Sequence, residues 1–293
     1  PGTGRDGEQE DAAAKHDRGR GHRAAVVLGG GIFLLAIATC ARVGLSLLDL
    51  PPGMHDEYSY LFQAKTYALG RFWLPGLNVI PGLFDQIHVL NEGRFASRYF
   101  PGTGLWLAPF VALDAPYLGQ WLAMSLAAFL IFDAGRTIGG NGIGFVAGTL
   151  VALAPGVAEF GNVLVAHAPT LLGLGLFLSG FARARSAATS ERRRFAWGLV
   201  SGTGLALAML CRPLTAASVG LPFGLVLAFE FLRRKPRSSA ARQLVALTLK
   251  TQGKDAAAAL LVEIDALSVH LEALIGWRST TSRQPRRRSR PSG

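Results

Sequence analysis

Apolar runs of membrane length, separated by short basic segments, constrain this chain more than any other feature. The runs fall at 24–48, 117–133, 142–158, 165–182, 196–211 and 214–232. Between them stand Arg136, then Arg183 through Arg194, then Arg233 through Arg237. Soluble domains carry about 25% charged residues. Here the fraction is 17%, against 50% hydrophobic. The pattern predicts an all-α fold, a polytopic transmembrane helical bundle. The net charge of +11 would suggest nucleic acid in a soluble protein. Its concentration at the ends of apolar runs fits the positive-inside rule instead, so the expected partner is a lipid bilayer and no nucleic acid. Cys40 and Cys211 both lie inside apolar runs and make neither a disulfide framework nor a metal pair.

If all three basic markers face the cytoplasm, the short run at 105–113, interrupted by Pro109, is not a full span. It is expected to be partly embedded and joined to the next helix. The count is then six spans with both ends inside, in a multi-pass protein of the cell inner or plasma membrane. The loop 49–116 and the turns near 159–165 and 212–214 fall on the outer side.

Residues 1–23 read as a disordered cytoplasmic tail. A cleaved signal peptide ending at Ala36-Ile37-Ala38 is the alternative for the first run, but the run continues to membrane length. Residues 24–235 form the transmembrane region. Residues 236–293 change character: Leu260, Ile264, Leu267, Leu271 and Leu274 give an amphipathic helix of soluble type, followed by a basic disordered tail. That soluble-type ending, and a start at Pro1, lead us to expect a truncated or altered chain.

The loop 49–116 is the most informative segment. Pro51-Pro52-Gly53 ends the first helix, and residues 57–69 read as a short surface helix stopped by Gly70. Asp56-Glu57 opens it. The plain account makes Asp56 an N-cap and Glu57 a first-turn partner of the helix dipole. Asp85, His88 and Glu92 form a second polar group with the spacing of no fixed metal signature. Phe72, Trp73, Phe95, Tyr99, Phe100 and Trp106 suit an interfacial aromatic belt. His167 and Arg212 stand at the outer mouths of two later runs. Arg212, between Cys211 and Pro213, needs a partner.

The stretch Met54-His55-Asp56-Glu57-Tyr58-Ser59-Tyr60-Leu61-Phe62-Gln63-Ala64-Lys65, running to Gly70-Arg71, resembles the first outer loop of GT-C type membrane glycosyltransferases. It is most similar to the group holding bacterial aminoarabinose transferases and protein O-mannosyltransferases (glycosyltransferase family 39-like). The turn Arg98-Tyr99-Phe100-Pro101-Gly102 and the later Arg212-Pro213-Leu214-Thr215 fit the same pattern. The likeness covers residues 24–235, and its motifs are short.

The resemblance implies a sugar moved from a polyprenyl-phosphate-linked donor to a lipid or protein acceptor on the non-cytoplasmic side. Asp56 would then be the base for the acceptor hydroxyl, with Glu57 in support. Arg94, Arg98, Lys65 and Arg212 would be candidates to meet the phosphate. For each of them, headgroup contact or snorkelling is the competing account. Asp85 and His88 would bind acceptor or a divalent metal, the cofactor being otherwise unknown. Tyr99 and His167 would line the same cavity. A transporter is one alternative, disfavoured because the charges sit at run ends and in one outer loop; a non-catalytic membrane protein, an inactive fragment of such an enzyme, is the other.

Overall fold

The computed structural model describes residues 3–46, 52–77, 82 and 86–233. The expectations for Asp85 and for residues 236–293 lie outside that range. The chain divides into two compact units, Pro1–Gly220 and Leu221–Gly293. Of the second, the described part is the continuation of a helix that begins at Pro213.

The chain is mostly helical. Its elements are α1 (Thr3–Leu45), α2 (His55–Ala68), β1 (Leu74–Pro75), β2 (Val89–Asn91), β3 (Arg94–Ser97), α3 (Pro101–Ala112), α4 (Pro116–Ala152), α5 (Pro155–Phe160), α6 (His167–Arg185), α7 (Glu191–Cys211) and α8 (Pro213–Arg233). Among the described residues, four helical segments are long and apolar enough to cross a membrane: Arg23–Leu45, Pro116–Ala152, Glu191–Cys211 and Pro213–Glu230. α6, expected as a span at 165–182, ends on Arg183 and Arg185 and is not among the four. α1 begins at Thr3 and so runs through the segment expected to be a disordered tail. Ala12, Ala13 and Ala14, with the Glu, Lys and Arg around them, are good helix formers.

α4 is two helices. Gly140 takes φ +85°, a backbone state open to glycine, and turns the chain. A methyl group on Gly135 would lie 3.1 Å from the Gly144 Cα, and one on Gly148 would lie 2.7 Å from the Phe132 side chain. Residues 141–152 therefore fold back on 132–139. α1 packs on this hairpin through Ala25, Ile32 and Ala36 against Ala128, Phe132 and Ala152. α6 and α7 approach closely at glycine: a methyl on Gly204 would meet the Phe177 backbone at 2.5 Å, and one on Gly173 the Ala208 backbone at 2.7 Å. Small residues let helix backbones gain contact where lipid supplies no hydrophobic drive.

The segment between α1 and α4 is not all helix, which corrects the all-α expectation. α2 lies within two residues of its expected bounds, and Gly70 follows at φ +71°. β2 and β3 then form a hairpin, with Val89 opposite Ser97 and Asn91 opposite Phe95, turning at Gly93 (φ +71°). β1 adds to the other side of β3, giving the order β1-β3-β2. α3 is a separate helix with Pro109 inside it, set off from α4 by Leu113–Ala115.

One polar cluster is embedded between α4 and α6. The Asp133 side chain is 5% exposed. Its Oδ2 accepts from Ser179 Oγ (2.5 Å) and Arg183 Nε (2.6 Å). Its Oδ1 accepts from Arg136 Nη2 at 3.0 Å and from Arg183 Nη2. Arg183 also lies over the Trp197 ring of α7, 4.5 Å from its centroid. The carboxylate is thus fully partnered, and its loss would strand a half-buried guanidinium. Asp133→Ala is expected to lower the unfolding free energy by about 3 kcal/mol, measured by reversible unfolding in mixed micelles, with a smaller effect from Arg136→Gln.

Candidate functional site

Three helices begin at one end of the bundle: α2 at His55, α6 at His167 and α8 at Pro213. They surround a cavity of about 610 Å³. α2 contributes Asp56 and Tyr60 to its wall, the turn before α3 contributes Tyr99 and Phe100, and the approach to α6 contributes Val165, Ala166 and His167. Cys211 to Thr215, across the α7–α8 break, complete it. The wall is largely apolar, with polar groups at a few points, as small-molecule sites commonly are.

Glu57 explains how the cavity is assembled. Its side chain is buried, the residue being 4% exposed. Oε2 accepts the Gly53 and Met54 backbone N–H groups at 2.9 and 3.2 Å, closing the first turn of α2. Oε1 accepts the Leu164 N–H at 2.9 Å and so ties that turn to the segment entering α6. Gln120 secures the same segment from α4, its Nε2 donating to the carbonyls of Val163 and Val165, both at 2.9 Å. Asn162 joins three elements, donating to the carbonyls of Cys40 (3.0 Å) and Ala158 (2.7 Å) and accepting from Trp121 Nε1 (2.8 Å). Gln63 holds α3 to α2, accepting from the Gly104 N–H at 3.1 Å and donating to the Tyr99 carbonyl at 3.0 Å.

Because Met54 is the N-cap and Glu57 serves the first turn, Asp56 is released from the capping role that its position suggested. Its carboxylate faces the cavity instead. His88 Nε2 stands 3.0 Å from Asp56 Oδ1, the two side chains being 31% and 45% exposed. Tyr99 lines the same cavity as Asp56. The Tyr99 ring stacks on Tyr60 at 4.4 Å and lies 5.2 Å from the His88 ring. Burial and then the Asp56 carboxylate push the Tyr99 hydroxyl well above the ordinary tyrosine range. Burial pushes Tyr60 up to about 12, the Asp56 charge adding to this and Arg212 opposing it.

Arg212 is the one residue between α7 and α8, extended at φ −144° and ψ 86°. Its side chain is exposed on the cavity side, where its charge reaches Tyr60. α8 starts immediately after it with Pro213. His167 sits at the first turn of α6, stacked on Phe160 at 4.0 Å, with a buried Nδ1 that finds no partner. The cavity wall thus carries a carboxylate, a guanidinium and the starts of α6 and α8. Helix starts favour anions.

Of the residues expected at a site, the structure brings Asp56, Tyr99, His167 and Arg212 onto the cavity wall. His88 stands behind Asp56, and Glu57 points into the packing. Lys65 and Arg98 are exposed away from the wall, and Arg94 lies over the Trp73 ring at 4.8 Å. Asp85 is outside the described residues. Tyr60 and Thr215 also line the cavity. Nothing but their nearness to Asp56 and Arg212 in sequence signalled them. Among the described residues no group of three His, Cys, Asp or Glu side chains is placed to hold a metal.

Comparison of the chain with protein-family models, curated proteins and solved structures finds no match in any of the three.

Two outcomes follow from this geometry. Glu57→Ala is expected to cost about 3 kcal/mol of stability, seen as a lowered thermal midpoint, because one buried and two part-buried N–H groups lose a charged acceptor. Tyr60 contributes stability that is fully present below pH 10 and is lost as the pH rises to about 12, since the unfolded phenol ionises first. Its phenolate absorbance, isolated as the difference from Tyr60→Phe, should rise near 12 in the native protein. The midpoint should fall in Asp56→Asn.

Proposed function

We propose that the chain is a six-span membrane glycosyltransferase, or the core of one, that moves a sugar from a polyprenyl-phosphate carrier to an acceptor hydroxyl on the non-cytoplasmic side. The observation that carries this reading is the presence of Asp56 and Arg212 on the wall of one largely apolar cavity. Transfer to a hydroxyl needs a base on one side of the reacting carbon and cationic stabilisation of a phosphate on the other. Asp56 takes the acceptor proton as the new glycosidic bond forms. The bond to phosphate breaks in the same step, and the leaving oxygens are met by Arg212 and the first turns of α6 and α8. The apolar remainder of the wall suits the first isoprene units of the carrier.

The orientation follows from charge. α6 runs from His167 at the cavity to Arg183 and Arg185, and α7 returns from Arg192, Arg193 and Arg194 to Cys211 beside the cavity. The arginine-rich end is thus opposite the cavity, and the positive-inside rule puts it in the cytoplasm. The fold at Gly140 supports counting 117–133 and 142–158 as two separate spans, as the sequence suggested. The plasma membrane, or the inner membrane of a cell with two, is where lipid-linked sugars would meet such a site. Glu57 belongs to this reading as a brace for the α2 turn. Lys65, Arg94 and Arg98 belong to it as groups at the lipid headgroup level.

Membranes carrying the protein are expected to transfer labelled sugar from a polyprenyl-phosphate donor, with the rate cut about 100-fold or more in Asp56→Asn. Arg212→Gln should raise the KM for donor about tenfold. A cysteine placed at Lys65 should react with an impermeant maleimide from outside. Full activity of Asp56→Asn, or labelling from the cytoplasmic side alone, would end the reading. Solute uptake without transfer would favour a transporter.

A further inference from the structure

His88 was expected to touch substrate, yet it is absent from the cavity wall and meets the site through Asp56, Nε2 to Oδ1 at 3.0 Å, and through its ring beside Tyr99. We infer that His88 is the positioning residue of Asp56: it fixes the carboxylate so that one oxygen stays turned into the cavity. This rests on Asp56 being the base proposed above.

Three features support it. First, Asp56 is 45% exposed on the first turn of a helix, where a short carboxylate is free to rotate among rotamers. The His88 imidazole, 3.0 Å from one carboxylate oxygen, selects one orientation. Second, His88 is itself held. Its carbonyl accepts from Ser59 Oγ at 2.7 Å and from the Arg98 N–H at 3.0 Å. Ser59 is linked in turn to Ser97 Oγ at 2.8 Å, which accepts the Tyr99 N–H at 3.2 Å. The start of the β2–β3 hairpin is thereby pinned to α2, and the imidazole arrives at Asp56 on a braced backbone. Third, the imidazole lies against the Tyr99 ring, 5.2 Å between centroids, which limits its own rotation. In the tautomer that serves Asp56, Nε2 carries the hydrogen and donates to the carboxylate. The small sheet thus has a purpose in the site: it delivers a donor to a residue 32 positions earlier in the chain.

A misplacement of about 1 Å in a reacting group can cost about 100-fold in rate. In the full chain in native membranes, His88→Ala is expected to lower kcat for sugar transfer by about 10- to 100-fold while the donor KM stays within about twofold. His88→Gln, whose amide nitrogen can reach the same carboxylate, should recover most of that loss. Equal activity of His88→Ala and the native protein would overturn the inference. So would equal impairment in Ala and Gln, the mark of a scaffold role, or a raised donor KM with unchanged kcat, the mark of substrate contact. A second measurement does not depend on turnover. In protein labelled with nitrogen-15 histidine, the His88 signal, identified by its loss in His88→Gln, should move in Asp56→Asn. A signal that stays in place refutes the contact whether or not the protein transfers sugar. Absence of transfer with a signal that moves would refute the glycosyltransferase reading and leave the contact standing.

Discussion

The arrangement depends on one buried carboxylate. Glu57 gathers backbone N–H groups from residues 53 and 54 and from residue 164, joining the entry to α2 with the entry to α6. A charge taken out of water must be compensated, and here main-chain donors do so at fixed positions in two distant parts of the chain. Wherever α2 begins, α6 must begin beside it. The cavity is the space left between those two helix starts once the start of α8 is added. Asp56 and Glu57 are neighbours with opposite duties, one turned inward to hold the walls together and the other left to face what lies between them.

The same division of labour runs through the rest of the unit. Amide side chains do the joining where apolar packing would be indifferent to register. Gln63, Gln120 and Asn162 each bind two backbone groups or more, and each links segments far apart in sequence. Glycine does the rest, allowing α6 and α7 to meet backbone to backbone and α4 to reverse on itself. Aromatic rings gather at the cavity end, where Tyr60, Tyr99 and His88 form one group and Phe160 and His167 another.

Much of the fold was legible because it is written in local signals. Apolar length marked the long helices, Gly70 stopped α2, and the Asp56-Glu57 pair stood out from a membrane-bound chain. What escaped was non-local. Asp56 has the chemistry of an N-cap, and the local rule assigned it that role. The N–H of Leu164, 107 residues away, helps settle the opposite assignment by engaging Glu57. The strands are two to four residues long, too short for alternation to register. Asp133 reads as the polar end of an apolar run. Its meaning comes from Ser179 and Arg183, 46 and 50 positions on. His88 was visible as a polar residue, but its partner was not.

The Asp133 cluster has a consequence at the far end of the helix it holds. Two of its partners lie on α6, one turn apart, so the ion pair acts as a latch on the vertical position of that helix against α4. An α-helix displaced by a single turn shifts by about 5.4 Å along its axis. The same slip would carry His167 out of the mouth it helps to shape. The latch therefore sets the depth of a chamber that none of its own atoms touches.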